Sequence, residues 1–169
     1  MALVLLTFIS LSPFILKVNA ESVKENAQNR LKQFIENRCE RVSLNIDSRI
    51  NRYNTNKQRH VERYTEIKNK IAETLTKLET QGIDVTGLRE DLKMLDSMII
   101  EFAQTYTKVI EQLEFAKTYA CGDSEGQFRE AVQAAQQNLI SARNKAADII
   151  TFIRTTIKTD LQNRRDSLN

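Results

Sequence analysis

The sequence predicts an all-α protein: an elongated antiparallel three-helix coiled-coil bundle preceded by a signal peptide. Three observations carry this. Glycine and proline, the strongest breakers of regular structure, are nearly absent: 169 residues hold one proline, Pro13, and four glycines, paired as Gly82 with Gly87 and Gly122 with Gly126. Between those pairs apolar residues recur at alternating spacings of four and three, the average repeat of about 3.5 that marks left-handed coiled-coil packing. Tryptophan is absent, aromatics make up 7% and charged residues 28%, which fits a narrow seam better than a thick core.

Residues 1–20 stand apart as a signal peptide. Leu3 to Leu16 is an apolar run of secretory length, followed by Val18-Asn19-Ala20 with small or medium residues at −3 and −1 of a cleavage site. No Lys or Arg precedes the run, and Lys17 lies on its far side. A retained anchor is the rival reading, but the run falls short of the ~17–25 residues that a span needs. Cleavage would take the net charge from +3 to +2 by removing Lys17. The remainder, 21–169, is one bundle with helices over about 22–81, 85–120 and 125–166.

The first helix carries Leu31, Ile35, Cys39, Val42, Ile46, Ile50, Tyr53, Lys57, His60, Tyr64, Ile67, Ile71, Leu75 and Leu78 on one stripe. Asn51, Asn54 and Asn56, weak helix formers beside Lys57 and His60, make it loosest there. The second repeats the spacing from Leu88 through Leu95, Ile99, Phe102, Tyr106, Val109 and Leu113 to Ala120. Met94, Met98 and Ile100 widen its stripe enough to face two neighbours. The third runs Phe128, Val132, Ala135, Leu139, Ala142, Ala146, Ile149, Ile153, alanine-rich first and bulky towards Ile157. That bulky end leaves room for a homo-oligomer contact.

The turns have matching chemistry. Gly82 suits a left-handed position after the first helix, and Asp84 can cap the second, with Ile83 and Leu88 forming a hydrophobic staple. Gly122 can close the second helix, and Ser124 with Gln127 forms a capping box for the third. Short connections make neighbouring helices antiparallel. The first helix then overhangs the others, leaving residues 22–38 to fray, fold back or meet a partner.

Cys39 and Cys121 both fall towards the open end of the first hairpin. A plain register puts Cys121 opposite residue 45 or so, too far from Cys39 for a disulfide unless the second helix unwinds near Tyr119 to Gly122. The intrachain bridge is the preferred reading in an oxidising compartment; an intermolecular bridge and two buried thiols are the alternatives.

Catalytic chemistry finds no support. His60 is the single histidine and sits on the seam, where a structural imidazole is the ordinary role. Neither cysteine has a partner base, the carboxylates are scattered on helix surfaces, and no phosphate loop or metal-ligand spacing occurs. The expectation is a non-enzyme with no cofactor and no metal.

Charge is unevenly divided. Residues 21–81 carry 13 basic and 9 acidic side chains, residues 84–121 carry 4 and 7, and residues 123–169 carry 7 and 6, so the first two helices complement each other. Within the first, Arg49, Arg52, Lys57, Arg59 and Arg63 form a candidate polyanion-binding stretch for an anionic membrane surface or acidic polysaccharide. The small net charge argues against nucleic acid.

The segments Arg38-Cys39-Glu40-Arg41, Arg49-Ile50-Asn51-Arg52-Tyr53 and Tyr119-Ala120-Cys121-Gly122 resemble those of predicted-secreted helical proteins, without known activity, of small-genome candidate-phylum bacteria. The resemblance covers most of the chain after residue 20 and implies a bacterial cell-envelope setting. The architecture is also similar to periplasmic helical chaperones of the Spy and Skp kinds, although the Leu-Thr-x-x-Gln signature of the former is missing, as is a trimerising strand segment like that of the latter. The functional expectation is an extracytoplasmic structural or interaction protein, holdase-like or an envelope scaffold, in the periplasm, at the cell surface or secreted, with a protein partner. The alternative is a membrane-surface or polyanion binder acting through Arg49–Arg63.

Overall fold

Gly82 sets the first turn. Its φ of 80° lies in the left-handed region, where a side chain is strained. There the Gly82 N–H donates to the Glu79 carbonyl at 2.9 Å and the Ile83 N–H to the Leu78 carbonyl at 3.1 Å. These two bonds are a Schellman motif, and Ile83 packs back on the core cluster that holds Leu78. They end α1, which spans Ala20–Thr80.

A computed structural model of the chain describes residues 20–122 and 124–166, with side chains from residue 23 onward except that of Glu125. The apolar run and cleavage motif read as a signal peptide lie outside the described residues, apart from Ala20. All regular elements among those described are helical: α1, α2 (Thr86–Thr118), α3 (Glu125–Phe152), a π-turn (Ile153–Ile157) and α4 (Lys158–Asp166). Three helices pack against each other, the third being the α3–π–α4 run. The chain divides by its contacts into two units, Met1–Asn37 and Arg38–Asn169, and the division falls within α1.

In the second unit the contacts between α1 and α2 run in opposite order along the two helices. Asp47 meets Lys117 at 2.6 Å, Lys57 meets Thr107 at 3.2 Å, Lys68 meets Asp96, and Glu79 meets Arg89 at 2.5 Å. Two of these three ion pairs put the acid on α1 and the base on α2. The excess of base on α1 is therefore not what aligns the helices; the buried seam is.

That seam falls into two clusters. One gathers Tyr64, Leu75, Leu78, Val85, Leu88, Leu95, Ile99, Phe102, Tyr106, Ala142, Ile149 and Ile157. The other gathers Ile46, Ile50, Val109, Ile110, Leu113 and Ala135. Lys57 and His60 lie between them, half-buried, and α1 runs unbroken through the asparagine-rich stretch. On α2 the apolar stripe is narrower than the sequence suggests: Met94 and Ile100 are 55% and 50% exposed, on the outer face.

The caps depart from expectation in detail. Helix α2 begins one residue later than an Asp84 cap implies; the Asp84 carboxylate accepts instead from the Thr86 N–H at 3.0 Å and the Thr86 hydroxyl at 2.7 Å. Those two bonds hold the Asp84 carboxyl below its usual range. Ser124 does occupy the cap position of α3, but its hydroxyl makes no cap bond. Gly122 does not close α2, which ends at Thr118, four residues earlier.

That early ending brings the cysteines together. The Tyr119 and Ala120 N–H groups donate to the Ala116 and Lys117 carbonyls, three residues back, so the helix tightens and gives way to a turn. Continuing the α1–α2 register would put Cys121 opposite residue 43, about one helical turn short of Cys39; leaving the helix, with its small rise per residue, closes that gap. The structure joins Cys39 to Cys121 in a disulfide with Cα atoms 5.1 Å apart.

The π-turn has a cause that can be read along the stripe. Continuing the spacing beyond Ile149 and Ile153 would bring Thr156 and Asp160 to the seam. A π-turn adds one residue to a turn of helix, with the Lys158 N–H reaching back to the Ile153 carbonyl. The seam positions pass to Ile157, fully buried, and Leu161, packed on the same cluster.

Candidate functional site

The basic stretch of α1 does not act as one surface. Lys57 turns to α2, its ammonium donating to the Thr107 hydroxyl. Arg59 folds along its own helix, donating to the Asn56 side-chain oxygen at 2.9 Å. Arg49 is exposed and lies outside both hollows described below. Arg52 and Arg63, eleven residues apart, turn to α3.

There they meet two arginines that sequence reasoning passed over. Arg52, Tyr53, Asn56 and His60 face Leu139, Ala142, Arg143 and Ala146 across a hollow of about 420 Å³, with Phe102 and Tyr106 of α2 as its floor. Three turns along, His60, Arg63, Tyr64 and Ile67 face Ile150, Ile153 and Arg154 across a second hollow of about 210 Å³. His60 is common to both. Arg143 and Arg154 are also eleven residues apart. Eleven residues is almost three whole helical turns, so each pair returns to the same face. The result is a groove between α1 and α3 framed at each end by one arginine from each helix.

Electrostatics along the groove are one-sided. No carboxylate lines either hollow, and none of the four arginines forms an ion pair among the described residues. The Arg52 guanidinium stands 5.5 Å from the centre of the Tyr53 ring, within cation–π reach. Burial lowers the His60 pKa, and the neighbouring Arg59 and Arg63 charges lower it further. Burial raises the Tyr106 hydroxyl, opposed by Asn56 and by the Arg143 and Arg52 guanidiniums. The floor is a run of edge-on rings: Tyr53 with Tyr106 at 6.1 Å, Tyr106 with Phe102 at 5.5 Å, and Phe102 with His60 at 5.8 Å. His60 is thus level with Phe102. Its ring nitrogens make no hydrogen bond with a described residue that would ready it as a base.

The matching eleven-residue spacing of Arg52/Arg63 and Arg143/Arg154 was the available signal for the missed pair. It pointed to a shared groove only once α1 and α3 were known to be neighbours.

Apart from this groove, the first unit carries an apolar face. Over residues 20–37 of α1, Val23, Leu31, Phe34 and Ile35 lie on one side of the helix and are all exposed, Phe34 by 62%. No group of three or more His, Cys, Asp or Glu among the described residues could hold a metal ion, and no helix among them is long and apolar enough to cross a membrane. No protein-family model matches the chain, and neither does any curated protein or solved structure.

Proposed function

We propose that the chain is a non-enzymatic, extracytoplasmic interaction protein. In this reading an antiparallel three-helix coiled coil, freed from its signal peptide and clamped by Cys39–Cys121, carries a helical face that holds a protein partner in the manner of a holdase. The carrying observation is the exposed row Val23, Leu31, Phe34 and Ile35. Large apolar side chains gathered on one exposed helix face have a hydrophobic cost in water that a partner's apolar segment relieves. The disulfide supports an oxidising compartment, and the heptad spacing supports the coiled-coil packing.

The test is suppression of the aggregation of a denatured client protein. The chain after residue 20 suppresses it, and Leu31→Glu, Phe34→Glu and Ile35→Glu together abolish the effect while the melting midpoint of the 38–169 unit stays unchanged. Suppression that survives the triple change would remove the apolar face from the account.

The alternative, polyanion binding through Arg49–Arg63, is favoured only in altered form. Arg52 and Arg63 point into a groove with α3, whereas Lys57 and Arg59 are engaged elsewhere.

A further inference from the structure

We propose that the groove between α1 and α3 binds a single-chain anionic amphiphile, its head group held by Arg52 and Arg143 and its chain lying past His60 against Tyr64, Ile67, Ile150 and Ile153. This goes beyond partner binding by the first unit and is independent of it.

The two hollows differ in the way such a ligand requires. The larger is ringed by donors: two guanidiniums and the Asn56 amide, with the tyrosines Tyr53 and Tyr106 beside them. Guanidinium pairs hold carboxylate or phosphate oxygens through paired N–H bonds, and no carboxylate among the described residues lines the hollow to compete for them. The smaller is walled by Ile67, Ile150, Ile153 and the Tyr64 ring, and only Arg63 and Arg154 at its rim carry charge. Their aliphatic stems extend the apolar wall while the guanidiniums stay in water. From Arg52 to Arg63 the groove runs about 16 Å, at 1.5 Å per residue. An extended chain of about twelve carbons matches that length.

A purely polyanionic ligand would leave the isoleucine wall unused, and a neutral lipid would leave Arg52 and Arg143 without an anion across the larger hollow. Only a ligand carrying both features answers both hollows. Ile150 is a large apolar side chain left 41% exposed beside the groove, where a chain would cover it. The phosphate and carboxylate forms share this chemistry, and the same titrations with dodecyl phosphate and with laurate rank them.

The test is calorimetric titration of the full chain with dodecyl phosphate below its micelle concentration, with inorganic phosphate and dodecanol in parallel. Dodecyl phosphate is expected to bind at least tenfold more tightly than either. Arg52→Glu with Arg143→Glu should weaken it at least tenfold, and Ile150→Glu should do so from the other end. Arg41→Glu with Lys108→Glu, an equal charge change outside the groove, should leave it within threefold. Should the glutamates disturb folding, Arg52→Gln with Arg143→Gln keeps the stems and must give a loss in the same direction. Inorganic phosphate binding equally well, dodecanol binding equally well, or equal loss in the Arg41/Lys108 variant would each overturn the assignment. The Leu31/Phe34/Ile35 variant must bind dodecyl phosphate normally, so failure of the groove and failure of the apolar face are told apart.

Discussion

The two core clusters on either side of His60 are stabilised by different means. The one nearer the Gly82 turn is bulky and aromatic: Phe102, Leu95 and Leu75 are fully buried, and Tyr64 and Tyr106 pack edge-on against Phe102. The other has an aliphatic buried centre and is thinner: Ala135 is the buried residue that α3 adds, with Phe128 and Leu139 partly buried against it, and Ile50 is only just buried. It lies towards the covalent link, and Asp47 with Lys117 spans its outer edge at 41% exposure on both sides, where an ion pair adds ~1 kcal/mol at most. One half of the bundle is held by packing, and the other combines modest packing with a cross-link.

That contrast can be broken experimentally. The largest expected effect follows from Cys39→Ser with Cys121→Ser. The bond joins residues 82 apart in sequence, and the chain-entropy model assigns such a loop about 4–5 kcal/mol. Hydrogen exchange should rise first at Ile46–Ile50 and Val109–Leu113, while amides around Leu95 and Phe102 keep their protection. Uniform loss of protection would mean that the two clusters melt as one.

Next comes Phe102→Ala, expected to cost about 3–5 kcal/mol because the ring is removed from the point where all three helices meet. Chemical denaturation should show the loss with the disulfide intact. A cost under about 1 kcal/mol would show that the aromatic half is not the strong one.

The smallest effect concerns His60, on the layer between. Its pKa is lowered in the folded chain, chiefly by burial and then by Arg59 and Arg63. The other groups lining the hollows beside it include the Tyr64 and Phe102 rings of α1 and α2, the charged Arg52 of α1 and Arg143 of α3, Ile150 of α3, and Arg154 of the π-turn. The unfolded chain therefore takes up the proton first, near pH 6.5, and the native state resists it. The contribution is complete above pH 6.5 and is lost as pH falls below it. Comparing melting midpoints at pH 7.5 and 5.5 for the wild type and His60→Gln isolates this; an identical drop in both removes His60 from the balance.

How far this could be read from the chain differs by element. The heptad stripe marked the seam of α2 well, because each of Leu88, Leu95, Ile99, Phe102, Tyr106, Val109 and Leu113 is a large apolar residue whose burial dominates its position. Gly82 was legible because glycine adopts its φ without the strain a side chain would bring. Met94 and Ile100 were misread, since hydropathy does not show which of two flanks a neighbour will cover. Ser124 was read correctly in place but not in bonding, a matter of rotamer rather than of spacing. On the groove, Arg52 and Arg63 were singled out for charge, but their separation from Lys57 and Arg59 depends on which helix faces which. Arg143 and Arg154 lie 80 or more residues away in sequence and join the pair only through tertiary packing.

The π-turn at Ile153–Ile157 separates two quantities that are tied together elsewhere in α3. In a regular helix, deleting a residue turns everything downstream by about 100° and strips its core contacts. Here the turn already carries a residue more than an α-helix requires. A chain shortened by one between Ile153 and Ile157 would revert to plain α-helix and still deliver Ile157 and Leu161 to the core. The bundle therefore holds, beside its smaller hollow, a site where length can change without loss of register, and where the rim arginine Arg154 could be repositioned while the core below stays as it is.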